Sequence, residues 1–183
     1  MCLAIAKPAG VVIPEHTLHA GWVANSDGGG YAFVREGVVE IRKGFGKWKD
    51  FIESYNASFE DNKDSPFAIH FRIRSTGSKE LTNTHPFRFK HGCMIHNGTI
   101  SGTQADNFEG STDTQKFIER FGNHFSYDFV AKHKKDLDSA VGYNKLVFLY
   151  PDKRYVIINE SNGVTHNGAW YSNHSFKKRN TTT

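Results

Sequence analysis

A cysteine stands second in the chain, in the opening MCLAIAKPAG. Removal of the initiator methionine leaves Cys2 with a thiol and a free α-amine on one residue. That amine titrates near ~8, well below a lysine, so part of it is neutral at cellular pH and can serve as base toward its own thiol. The competing reading is an inert cysteine buried in a first strand, a common place for a free thiol. Asn97-Gly98 also has two meanings. It is the commonest two-residue hairpin turn, and it is a pair of donors, one side-chain NH₂ and one backbone N–H, that can cradle an oxyanion. Arg72 needs an anion, either a structural carboxylate or the α-carboxylate of a substrate gripped through two hydrogen bonds. Asp113 suits the first turn of a helix and equally suits a substrate ammonium. Arg72 and Asp113 together would recognise both ends of a free α-amino acid, leaving Cys2, Asn97 and Gly98 to act on its side chain.

The elements that must carry these residues follow from periodicity. CLAIAK reads as a short buried strand, and GYAFVREGVVEIRKG as a hairpin turning at Glu36-Gly37. KWKDFIESYNASF has Trp48, Phe51, Ile52 and Tyr55 at helical spacing. FAIHFRIR alternates: Phe67, Ile69, Phe71 and Ile73 face the core, whereas Ala68, His70, Arg72 and Arg74 share the other face and line a polar cleft. HGCMIHNGTISG is a strand ending at Asn97-Gly98. GSTDTQKFIERFGNHF is a helix opened by a Thr112–Gln115 capping box. KLVFLYPDKRYVIINE makes two strands around a Pro-Asp turn, and GAWYSNHSF a last short one. Gly28-Gly29-Gly30 has no accompanying phosphate-binding lysine and reads as a tight turn. Strands arriving in runs, with about three helices, predict an α+β fold with mainly antiparallel sheets.

Composition narrows the function classes. The 183 residues suit a single domain, residues 1–175, followed by a polar tail, residues 176–183. No stretch approaches the ~20 apolar residues of a membrane span, and the start lacks a secretory pattern, so a cytoplasmic protein is expected. The net charge of +4 is spread out. Its two concentrations, Lys132–Lys135 and Lys177–Arg179, read as a solvated helix face and a polar tail rather than a nucleic-acid footprint. Cys2 and Cys93 are expected to be free thiols. The chain carries no CxxC pair, HExxH or nucleotide-binding glycine signature.

Taken in order, Cys2, SDGGGYAF from Ser26, HFRIRSTG from His70, NTHP from Asn83, HNG from His96 and TDT from Thr112 resemble the class II glutamine amidotransferase domain, an N-terminal nucleophile hydrolase. The resemblance runs from residue 2 to about 114 and resides in the order of the motifs, each short by itself. It implies a four-layer αββα sandwich and a glutaminase reaction needing no cofactor and no metal. Cys2 would be the nucleophile with its own amine as base, and Asn97 and Gly98 the oxyanion hole. Arg72 would bind the glutamine α-carboxylate and Asp113 the α-ammonium, with Ser75 and Thr76 adding hydrogen bonds. His70, His85 and His96 would be supporting residues, because that mechanism needs no imidazole base. Glutamine is the implied substrate; the chain is similar in length and opening to stand-alone copies from bacteriophages, so either a separate synthase takes the ammonia or the protein is a simple glutaminase or amidohydrolase.

The chain departs from the pattern at several points. Leu3 stands where the family has glycine, Ala24 near where it has an arginine, and Ile73 and Arg74 where it often has an aromatic and a small residue. Strand alternation places Arg74 on the same face as Arg72, so Arg74 is the rival carboxylate binder. Two other functions remain open: the same nucleophile acting on a different amide, and a catalytically silent binding module of the same fold.

Overall fold

The computed structural model describes residues 2–73, 81–100 and 112–177. The first half of the chain forms β1 (Leu3–Lys7), α1 (Glu15–Ala24), β2 (Gly29–Arg35), β3 (Val38–Phe45), α2 (Trp48–Asp61), β4 (Phe67–Phe71), β5 (Phe87–Phe89) and β6 (Gly92–Asn97). The second half forms α3 (Asp113–Phe121), α4 (Tyr127–Lys132), α5 (Lys134–Ala140), β7 (Lys145–Leu149), β8 (Tyr155–Ile158), β9 (Val164–His166) and β10 (Ala169–Tyr171). The fold is α+β, with two antiparallel sheets: six strands in the order β3-β2-β4-β1-β10-β9, and four in the order β5-β6-β7-β8.

Alternation along each strand creates three apolar layers. On the outer face of the larger sheet, Leu3, Ile5, Tyr31, Phe33, Phe67, Ile69 and Phe71 pack against Leu18 and Trp22 of α1 and Phe51, Ile52 and Tyr55 of α2. Its inner face carries small residues, Ala4, Ala6, Ala32 and Ala68, opposite Cys93, Ile95, Val147 and Leu149 of the smaller sheet. Four alanines let the second sheet approach closely, which removes apolar surface from water on both sides of β1 and β4. Beyond the smaller sheet, Met94, Phe148 and Ile158 meet Phe117 of α3, Val130 of α4, and Phe125 from the turn between the two helices.

Several local expectations hold for their physical reasons. Glu36 and Gly37 turn the β2–β3 hairpin with φ of 51° and 73°, the positive pair that matches strand twist. Thr112 and Gln115 form both halves of the capping box at α3. The Lys132–Lys135 stretch spans the end of α4 and the start of α5 and is supplied with its own acids, Lys134 lying 3.5 Å from Asp138 and His133 3.4 Å from Asp136.

Three expectations are corrected. Gly29 and Gly30 are the start of β2, with a register shift between them, not a turn. They are glycines because a Cβ on Gly30 would collide with the His85 carbonyl, and one on Gly29 would come within 2.8 Å of Trp22. The face of β4 bearing His70 and Arg72 is buried, not an open cleft, because the second sheet covers it. Phe176 belongs to the folded domain, buried and stacked 3.9 Å from Tyr171, so the core extends one residue past the expected boundary. α1 has no counterpart in the sequence reading. Its N-cap is Pro14, which offers no capping side chain, and its buried face of Thr17, Leu18, Gly21 and Trp22 carries only two large apolar side chains.

Candidate active site

The singled-out residues gather where the two sheets end together. Leu3 pairs with Phe71, so Cys2 and Arg72 are the next residues outward on neighbouring strands β1 and β4. Backbone bonds extend the ladder here: the Arg72 N–H donates to Gly28 and the Asp27 N–H to the Arg72 carbonyl. Arg72 is 7% exposed. The Cys2 thiol donates to the Ile73 carbonyl at 3.4 Å, and the Asn173 amide donates to the Cys2 carbonyl at 2.8 Å. Burial pushes the Cys2 thiol above its ordinary pKa, and the Arg72 charge acts in the opposite direction. Cys93 is the opposite case: fully enclosed between the sheets, its thiol is pushed up to about 12. Both cysteines are free.

Asn97 closes β6 on the facing sheet. Asn-Gly is not a hairpin turn here, because the strand it leads to, β7, returns only after α3, α4 and α5. The buried Asn97 amide donates to the Ser172 hydroxyl at 2.7 Å, and that hydroxyl also accepts the Ala4 N–H at 2.9 Å. One hydroxyl thus ties Asn97 to the strand of Cys2 across the gap between the sheets. Gly98 has φ of +143°, a backbone that side chains rarely adopt, and a Cβ there would collide with Asn144 Oδ1.

Behind Asn97 lies a buried chain of neutral imidazoles. The Asn144 amide donates to the Val141 carbonyl, so its Oδ1 is the acceptor for His96 Nε2 at 2.7 Å. His96 Nδ1 is therefore unprotonated and accepts the Thr114 hydroxyl proton at 2.9 Å, which makes His85 Nε2 the donor to Thr114 at 3.2 Å. His70 Nε2 donates to the His96 carbonyl at 3.0 Å, a second bridge between the sheets. Burial lowers all three imidazoles, His70 to about 3, so none is charged near neutrality. The Nδ1 atoms of His70 and His85 are buried without a hydrogen-bond partner among the described residues.

Asp113 is the first residue of α3. Its carboxylate accepts the Ile100 N–H at 2.7 Å and the Thr114 N–H at 2.8 Å. It reaches the Asn97 region through Thr114 and His96. Ser75, Thr76 and the rival Arg74 lie outside the described residues. Cys2, Arg72, Asn97, Gly98 and Asp113 thus form a connected group, whereas Cys93 lies deeper in the intersheet layer. Ser172, Asn173 and Asn144 escaped the sequence reading. They sit in no recognisable motif, and only strand pairing brings them to the cluster.

A cleft of about 900 Å³ has Ala24, Ile73, Asn173 and Lys177 among its lining residues, and among the described residues that line it are none of Cys2, Arg72, Asn97, Gly98 and Asp113. Ala24 and Ile73 are two of the departures from the amidotransferase pattern. Among the described residues, no group of three or more His, Cys, Asp or Glu could hold a metal, and no helix is long and apolar enough to cross a membrane. No protein-family model and no curated protein matches the chain.

Proposed function

We propose that the protein is a glutamine-hydrolysing amidase of the N-terminal-cysteine type, with the four-layer fold of the class II amidotransferase domain. The supporting observation is the Ser172 bridge. It couples the strand of Cys2 to Asn97 while Arg72 stands beside Cys2. In the methionine-free protein, the α-amine takes the thiol proton and the thiolate attacks the glutamine side-chain carbonyl. The carbonyl oxygen becomes an oxyanion facing the free hydrogen of the Asn97 amide and the Gly98 N–H. The amine returns the proton to the departing nitrogen, and ammonia leaves a γ-glutamyl thioester on Cys2. Water adds to the thioester, the S–C bond breaks, and glutamate is released. Arg72 takes the α-carboxylate and Asp113 the α-ammonium.

The ammonia passes to a separate synthase in this reading. That part fails if the purified protein turns over glutamine at a full rate alone and captures no synthase from its host. The amidase reading is tested by ammonia release from glutamine by protein shown by intact mass to lack Met1. A glutamine-like electrophile should alkylate that protein and spare Cys2→Ala. Labelling at Cys93 instead, or no ammonia from correctly processed protein, overturns it in favour of a silent module or another amide substrate.

A further inference from the structure

The amidase reading assigns two oxyanion donors but leaves open what holds them in place. We propose that Ser172 and Asn144, both from the last quarter of the chain, are positioning residues that aim the two donors, Ser172 the Asn97 amide and Asn144 the Gly98 N–H. The proposal rests on that reading.

The geometry differs at the two donors. Asn97 has one NH₂ group. One hydrogen is committed to Ser172 Oγ at 2.7 Å, which leaves the other for substrate. Ser172 is itself immobile: it is 1% exposed, its hydroxyl accepts the Ala4 N–H, and its backbone N–H donates to the Ala4 carbonyl at 2.9 Å. Ala4 lies two residues from Cys2 on the same strand. The thiol and the Asn97 donor are therefore referenced to one short stretch of backbone, although they belong to different sheets.

Gly98 is held by contact rather than by a bond. Asn144 Oδ1 fills the space where a side chain at 98 would stand. Asn144 is clamped in turn. Its amide donates to Val141 at 2.7 Å, its Oδ1 takes the His96 Nε2–H, and its carbonyl accepts the Asn159 amide at 2.7 Å. His96 and Gly98 flank Asn97, so the His96–Asn144 bond restrains the chain on both sides of the Asn97 donor. Neither substitution alters the thiol, Arg72 or Asp113 itself, and the Ser172 backbone N–H still holds Ala4, whereas each loosens a donor whose hydrogen bond matters most at the tetrahedral stage. Misplacement by ~1 Å can cost about 10²-fold, and outright loss of a donor about 10²–10³-fold.

The test uses methionine-free Ser172→Ala and Asn144→Ala, with Ser172→Thr as the variant that keeps the hydroxyl. Steady-state glutamine hydrolysis, alkylation of Cys2 by iodoacetamide and thermal melting are measured on each. The expected result is a kcat at least tenfold below wild type in both alanine variants, with KM within about twofold. Iodoacetamide alkylation, which needs no oxyanion hole, should be unchanged, and Ser172→Thr should recover kcat. A wild-type kcat in folded alanine variants overturns the proposal. So does a loss of alkylation in parallel with turnover, which would mean that these residues merely hold the fold. If one alanine variant fails to melt cooperatively, the other carries the test. Absence of glutamine turnover by the wild-type protein overturns the amidase reading itself, whereas wild-type turnover with undiminished variants overturns only the roles of Ser172 and Asn144.

Discussion

Gly98→Ala puts the site's geometry under direct strain. The alanine would have to adopt a φ near +143°, and its Cβ would collide with Asn144 Oδ1 and stand 3.1 Å from His96 Nε2. Strain of that kind costs about 1–3 kcal/mol. Asn144 can relieve the collision only by retreating from His96, which leaves a buried hydrogen bond unmade at a further ~1–3 kcal/mol. The combined loss is roughly 2–6 kcal/mol. For a chain of this length each kcal/mol lowers the melting temperature by about 2–4 °C, so a fall of roughly 4–24 °C is expected by calorimetry. The double variant Gly98→Ala/Asn144→Gly removes the collision and keeps the backbone strain, so it should recover at least ~1 kcal/mol relative to additivity. Glutamine hydrolysis by Gly98→Ala should fall at least about 100-fold. A Gly98→Ala protein that melts with wild type and shows no coupling to position 144 would refute the packing argument.

Lys7 is fully buried at the far end of β1, beneath the Phe59 and Phe67 rings, and desolvation lowers it to about 8. The unfolded chain then binds more protons than the folded one between about pH 8 and 10.5, so wild-type stability should rise across that window in denaturant titrations, and Lys7→Met should abolish the rise and be the more stable protein at pH 7. The imidazole cluster has a consequence of the same sign in acid. His70 is held neutral down to about pH 3, whereas an unfolded histidine protonates near pH 6.5, so stability should fall steadily as pH drops from about 6.5, and His70→Gln should flatten the fall. Arg72→Ala should raise KM for glutamine strongly while sparing iodoacetamide alkylation of Cys2; if Arg74→Ala does so instead, Arg74 is the carboxylate binder.

Much of the local architecture was legible because it depends on neighbours in sequence. The Glu36-Gly37 turn, the Thr112–Gln115 box, the alternation of β4 and the helical spacing of α2 are each decided within one strand or turn of chain. α1 was not legible, since its buried face of Thr17, Leu18, Gly21 and Trp22 carries only two large apolar side chains and its start has no side-chain cap. The glycine run was misread because what excludes a Cβ at Gly30 is the His85 carbonyl, distant in sequence.

The candidate site divides along the same line. Residue types alone singled out a thiol with an adjacent amine, a pair of donors at Asn97-Gly98, and an arginine and an aspartate suited to the two ends of an amino acid. Those are properties of side-chain chemistry and need no fold. Only the tertiary structure decided that Asn-Gly ends a strand instead of turning a hairpin, that the polar face of β4 is buried, and that Cys93 is enclosed between the sheets. It also supplied Ser172 and Asn144, serine and asparagine of no local distinction. Each touches the site through contacts between residues far apart in the chain, and hydrogen bonds of that kind leave no periodicity or spacing to be read in advance.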